Sequence, residues 1–168
     1  MGYLVFSGTA MGEALTNGTQ IAVKDRSGVS INELSDKSTG AQILDPGTSP
    51  FSIEFFIKVP QQSNNNQVVF QKKRTTANNI TVALSGSSSS TECEVHFAIT
   101  SGSNFLHVSG TMKKGAFHHV TAMYDRIADQ RCKLLINNEI HSSSQRLLFE
   151  NLEYNAADFK IGSGDTIR

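Results

Sequence analysis

The chain has no tryptophan, only two cysteines and three prolines, and no net charge, since 15 Lys and Arg balance 15 Asp and Glu over 168 residues. Balanced charge removes the concentrated basic excess that a phosphate backbone demands, so no nucleic-acid partner is expected. The small clusters Lys72-Lys73-Arg74 and Lys113-Lys114 read as solvated turn charges. No apolar run reaches the ~18 residues of a spanning helix, and the segment from Met1 to Gly8 lacks both the basic start and the apolar length of a secretory leader. No membrane insertion is expected. Two cysteines cannot close a zinc site, and neither a Gly-x-Gly-x-x-Gly turn nor a phosphate loop is present. No cofactor or metal is therefore assigned.

What is present is uncharged polarity. Ser, Thr, Asn and Gln supply 53 residues, while only 18% of the chain is charged and 38% is hydrophobic. The length suits one domain over residues 1–168. Residues 25–50, rich in Ser, Asp, Gly and Pro, form a long loop excursion with one helical turn expected near Asn32 to Asp36.

Period-two alternation dominates the rest. The clearest case is Phe51 to Val59, where Phe51, Ile53, Phe55, Ile57 and Val59 share one face and Ser52, Glu54, Phe56 and Lys58 the other. Pro60 ends that strand because it has no N–H to donate. Further strands are expected at Tyr3–Phe6, Gln20–Lys24, Val68–Phe70 (ended by the basic cluster), Ile80–Leu84, Cys93–Ile99, Asn104–Val108, Gly115–Tyr124, Cys132–Ile136 and Phe159–Gly162. Ser85 to Ser90 reads as a mobile hairpin loop, and Asn137-Asn138 as a tight turn, because Asn tolerates positive φ. At least nine short strands with no competing helical period specify an all-β, two-layer antiparallel jelly-roll sandwich, since each half-wet sheet needs another apolar face to cover it. Cys93 and Cys132 both sit in apolar alternations. Two buried free thiols are the favoured reading, with a disulfide as the alternative if their strands are neighbours.

The ordered series Leu4-Val5-Phe6-Ser7-Gly8-Thr9, Phe51 to Lys58, Val68 to Lys72, Lys114 to Asp125, Leu134 to Asn138 and Phe159 to Gly162 resembles the laminin G-like members of the concanavalin A-like lectin and glucanase superfamily. The strongest landmark is Phe117-His118-His119-Val120 before Tyr124-Asp125. Two departures stand out. Relatives often carry Trp where this chain has Phe56 and Phe117, and the chain leaves no room for the family's final strand, so unless the Asp25–Pro50 excursion substitutes, an edge covered by a neighbouring subunit or by the remainder of a larger chain is expected.

The resemblance implies a noncatalytic module that recognises a glycan or protein partner. The alternative is a structural or assembly subunit of a larger particle or surface complex, in homo- or hetero-oligomeric form, and an extracellular or particle-surface location is favoured. An enzyme is not expected. Related glycan hydrolases place a pair of carboxylates on one strand face, yet here only Glu92 and Glu94 share that relation, beside the Ser tract, and they read as solvent-facing charges. His118 and His119 point to opposite faces of a strand and cannot jointly hold one metal, so one is expected to cap the core edge and the other to face solvent. Laminin G-like relatives sometimes bind calcium at a sandwich rim. Asp125, Asp129 and Asn137 are the nearest contributors here, in a match too incomplete to assign a metal. For a sugar, Phe56, Phe105 and Tyr154 are candidate platforms, with Asn78, Asn79 and Asn104 as polar partners. Asn17-Gly18-Thr19 and Asn79-Ile80-Thr81 fit the N-glycosylation pattern.

Overall fold

The computed structural model describes residues 21–23, 45–61, 67–152, 154, 159–162 and 164. The described strands are β1 (Ile21–Val23), β2 (Phe51–Lys58), β3 (Gln67–Thr75), β4 (Asn78–Ser85), β5 (Glu92–Ser101), β6 (Asn104–Lys113), β7 (Phe117–Asp125), β8 (Arg131–Ile136), β9 (Glu139–Ser142) and β10 (Phe159–Ile161). They form a six-stranded sheet in the order β1-β10-β3-β4-β5-β6 and a four-stranded sheet in the order β2-β7-β8-β9. All described pairings are antiparallel. The two-layer all-β architecture read from alternation is the one observed. The expected strand at Tyr3–Phe6, the helical turn near Asn32 and most of the 25–50 excursion lie outside the described residues.

The two inner faces make the core. Val82, Val95, Phe97 and Ile99 from one sheet and Val120, Ala122, Cys132 and Leu134 from the other are wholly buried. Aromatic pairs stitch the layers edge to face, with Phe51 against Phe97 at 6.2 Å and Phe55 against Phe70 at 6.1 Å between ring centres. Cys93 and Cys132 are buried free thiols on facing sheets, so the disulfide alternative is not formed. Burial pushes both thiols up in pKa, Cys132 most, and leaves them inert. Tight closure also shows at Gly110 of β6, where a Cβ would stand 2.6 Å from His141 Cδ2 and 2.8 Å from Ile136 Cδ1.

Several expectations are corrected. The basic cluster does not end β3. The strand runs through it to Thr75, because Lys72 points inward and its Nζ lies 2.7 Å from Asp45 Oδ1, with the two side chains only 1% and 4% exposed. The same Asp45 oxygen accepts the Tyr154 backbone N–H at 3.0 Å. Together with the Gly47–Leu152 bridge, this clamps the approach to β2 onto the segment after β9. Lys114 is also buried rather than solvated. Its ammonium donates to the Ser87 carbonyl at 2.6 Å, which ties down the Ser tract that composition marked as mobile. The tract closes as a turn, with Ser90 N donating to Ser87 O. β6 continues past Val108 to Lys113, paired residue by residue with β5.

The β8–β9 turn follows expectation, with φ of 46° at Asn137 and 73° at Asn138. Asn137 does more than turn the chain. Its Oδ1 accepts the His119 backbone N–H at 3.0 Å, and its Nδ2 lies 2.6 Å from His118 Nδ1. His118 Nε2 donates to the Lys113 carbonyl at 2.7 Å. His118 therefore caps the core edge, and both of its ring nitrogens are spent on structure.

Two stability tests follow from these contacts. Asp45→Asn removes one charge of the buried Lys72–Asp45 ion pair and should cost up to about 3–5 kcal/mol in urea unfolding. Gly110→Ala should cost about 1–3 kcal/mol by the same measurement, because His141 and Ile136 must yield to the added methyl.

Candidate functional site

Pleating sends alternate side chains outward, so each sheet presents a second face away from the core. On the four-stranded sheet, Phe56 stands opposite His119, Lys58 opposite Phe117 and Glu54 opposite Thr121. Thr121 continues across to Leu135, and Leu135 to Ile140. Phe56 is 73% exposed, Phe117 59% and Ile140 68%. The Phe56 ring lies 4.9 Å from the His119 ring, and His119 Nε2 donates to Glu54 Oε1 at 2.6 Å. The Lys58 ammonium sits 5.7 Å from the Phe117 ring centre. The result is a flat apolar surface with one carboxylate, one imidazole and one ammonium set among its rings.

The outer face of the six-stranded sheet is different in kind. Asn79, Thr100 and Phe105 form one cross-strand row, with Thr81, Ala98 and His107 in the next and Ala83, His96 and Ser109 in a third. Much of it is covered, since Gln71, Asn79, Thr81, Ala98 and Thr100 are all buried. His96 and His107 meet diagonally across β5 and β6, with His96 Nδ1 3.1 Å from His107 Nε2. Their ring centres are 5.3 Å apart and their planes differ by 19°, so the two nitrogens lie close to the line joining the rings, as one shared proton requires. Ser85 Oγ lies 2.6 Å from His96 Nε2, and Glu94 Oε2 is 3.5 Å from the same nitrogen.

The candidate ligand residues divide accordingly. Phe56 lies on the outer face of the four-stranded sheet. Asn78, Asn79, Asn104 and Phe105 come together at one end of the six-stranded sheet, on strands β4 and β6 either side of β5. Asn104 is exposed and Phe105 half-buried, while Asn78 donates to Thr75 Oγ1 and accepts from the Gly102 N–H. Asn79 is 1% exposed, donating to the Thr76 carbonyl and accepting from Thr81 Oγ1. Its amide is thus committed to the fold, and a glycan on its acceptor pattern would have to displace those bonds. Tyr154 is inside, with its hydroxyl donating to the Thr100 carbonyl at 3.3 Å. One ligand cannot bridge Phe56 and the Asn79–Phe105 row, which occupy opposite outsides of the sandwich.

Other polar groups have structural work. Asp125 and Asp129 do not form an open rim cage. Both contact Lys133 Nζ, at 3.4 and 3.2 Å, and Asp129 also meets Arg131 and Arg146. Asn137 lies at the far end of β8, in the turn to β9. Among the described residues no three His, Cys, Asp or Glu side chains converge as metal ligands. Phe117 and Ile140 as surface residues, and the His96–His107 pair, are not among the sequence expectations. The alternation of Phe117 and His119 on one face was there to be read, whereas the histidine pair depends on the β5–β6 register.

Burial holds both His96 and His107 below the usual imidazole pKa of 6.5, and the positive charge of its neighbour lowers His107 further, while Glu94 acts in the opposite sense. The unfolded chain therefore binds more protons than the folded one near that pH. Stability is fully present above about pH 6.5 and is lost as the pH falls through that value toward the folded pKa values. Urea midpoints should drop between about pH 7.5 and about pH 5.5, and His107→Gln should flatten the drop. An unchanged slope in that variant would remove the pair as its source.

A family model described as the concanavalin A-like lectin/glucanases superfamily matches residues 25–166. The fold is similar to that of the mouse laminin alpha1 chain, domains LG4-5, with a TM-score of 0.53 and 11% sequence identity over 70% of this chain and 28% of that one. The chain thus spans under a third of that relative, and at this identity the likeness is one of fold. No curated protein matches the sequence. With two antiparallel sheets closing over one apolar interior and a family match across most of its length, the chain belongs to the laminin G-like members of the concanavalin A-like lectin/glucanases superfamily.

Proposed function

We propose that the chain is a noncatalytic recognition domain that binds a glycan or protein partner through the outer face of its four-stranded sheet, in an extracellular or particle-surface setting. The observation that carries this reading is the exposure of Phe56 and Phe117, at 73% and 59%, on regular strands where neither ring is needed to close the core. Burying a phenyl ring is worth about 1.5–3 kcal/mol, and that free energy is left for a partner to collect. Leu135 and Ile140 extend the same face across β8 and β9. The rings suit the apolar face of a pyranose or an apolar side chain, and Glu54 with His119 supplies a directed acceptor and donor beside them.

Binding measured on a glycan array and against purified protein partners should weaken about tenfold or more for Phe56→Ala and for Phe117→Ala, which corresponds to roughly 1.4 kcal/mol or more. Both side chains are exposed, so unfolding midpoints should stay near that of the parent chain. A ligand held equally well by both variants would end this assignment.

A further inference from the structure

Of the described ion pairs, Lys72 with Asp45 stands apart because both side chains are out of water and in contact, with Nζ 2.7 Å from Oδ1. The contacts of Lys133 with Asp125 and Asp129 are longer, at 3.4 and 3.2 Å, and those side chains are partly exposed. Lys114 is buried too, but its ammonium meets a backbone carbonyl, whose carbon is already part of an amide. Lys72 lies between apolar cross-strand neighbours, Ile80 on β4 and Phe159 on β10. The two oxygens of Asp45 differ. Oδ1 faces the ammonium and accepts the Tyr154 N–H at 3.0 Å, whereas Oδ2 is buried and accepts no hydrogen bond among the described residues. A buried oxygen left in that state costs free energy.

We propose that Lys72 and Asp45 condense into an intramolecular isopeptide bond with the loss of one water. Lys72 Nζ passes one ammonium proton to Asp45 Oδ2 and, as the free amine, attacks Cγ. Negative charge develops on Oδ1, where the Tyr154 N–H is already aimed. Oδ2 then takes a second proton from the nitrogen and leaves as water, and one N–H stays on the new amide. An ammonium and a carboxylate thus become an amide and a water, with no oxidant, nucleotide or other co-reactant. Dilute amines and carboxylates do not condense readily in water. Here the fold holds the pair in contact, and oriented groups of this kind reach effective molarities of about 10⁵–10⁸ M. The product also draws the reaction forward, because it removes two charges from a site that solvates neither, together with the unpartnered oxygen. The bond would join the segment that enters β2, in the four-stranded sheet, to β3 in the six-stranded sheet. Cys93 and Cys132 are unlinked, so this cross-link between the layers would be insensitive to reductant. It goes beyond partner recognition at Phe56 and Phe117 and does not depend on it.

The test is the intact mass of the full chain, kept folded at neutral pH and then denatured for mass spectrometry. It should lie one water below the mass its sequence gives, and protease digestion should release a branched peptide that joins the segments carrying Asp45 and Lys72. Lys72→Arg keeps the positive charge but offers no amine, and Asp45→Ala removes the carboxyl, so both variants should show their full sequence masses and only linear peptides. A parent chain at its full sequence mass would overturn the proposal. So would a water loss that persists in Lys72→Arg, or one that peptide mapping places elsewhere in the chain. The parent mass alone decides the first of these outcomes, so the test survives a variant that fails to fold. Ligand binding at Phe56 and Phe117 is judged by its own assay in either case.

Discussion

Burying one face of each sheet against the other is the constraint on which the remaining features depend. Neither sheet can hold its apolar face in water, and each covers the other through side chains at every second position, Val82, Val95, Phe97 and Ile99 on one side and Val120, Ala122 and Leu134 on the other. A shift of one residue in any of these strands would turn its apolar set outward. The registers are therefore fixed by the core, and the positions of all outward side chains are fixed with them.

That constraint also explains the buried polar groups. Lys72 falls on an inward position of β3 and is tolerated because Asp45 reaches it, so the cost of taking an ammonium out of water is offset by a short ion pair. Lys114 is met by the Ser87 carbonyl and His118 by the Lys113 carbonyl and the Asn137 amide. Each of these contacts joins segments that the strand ladders alone leave separate. The Asp45 contact fastens the entry to β2, Lys114 the β4–β5 turn, and Asn137 the start of β7 to the β8–β9 turn. Polar burial in this molecule serves to fix loops on a core whose strands are held mainly by apolar packing.

The two outer faces then diverge. The six-stranded sheet carries small and amide side chains that are already buried, along with a histidine pair linked through one hydrogen bond. The four-stranded sheet carries rings and aliphatic groups that remain in water. Large apolar residues left exposed on a rigid ladder are suited to a contact, since no ordering of the surface is needed when a partner arrives. The absence of tryptophan does not remove such a surface, because Phe56 and Phe117 stand on it together.

The alternation of Phe51 to Val59, Cys93 to Ile99 and Phe117 to Tyr124 made the strands and the sandwich legible, because the direction of a side chain in a strand is a local property with period two. The Asn137-Asn138 turn and the division of labour between His118 and His119 were legible for the same local reason. The burial of Lys72 was not, since a lysine in a run of basic residues reads as solvated unless its distant counter-charge at Asp45 is known. Nor was the separation of Phe56 from Asn78, Asn79, Asn104 and Phe105, or the meeting of His96 with His107. Those depend on which strands are neighbours and in what register, and that is decided only when two sheets select their mutual alignment by burying a shared interior. The sequence by itself determined which residues point the same way along each strand. The tertiary structure decided which of those rows lie side by side, because adjacency between strands comes from packing at long range and leaves no periodic trace along the chain.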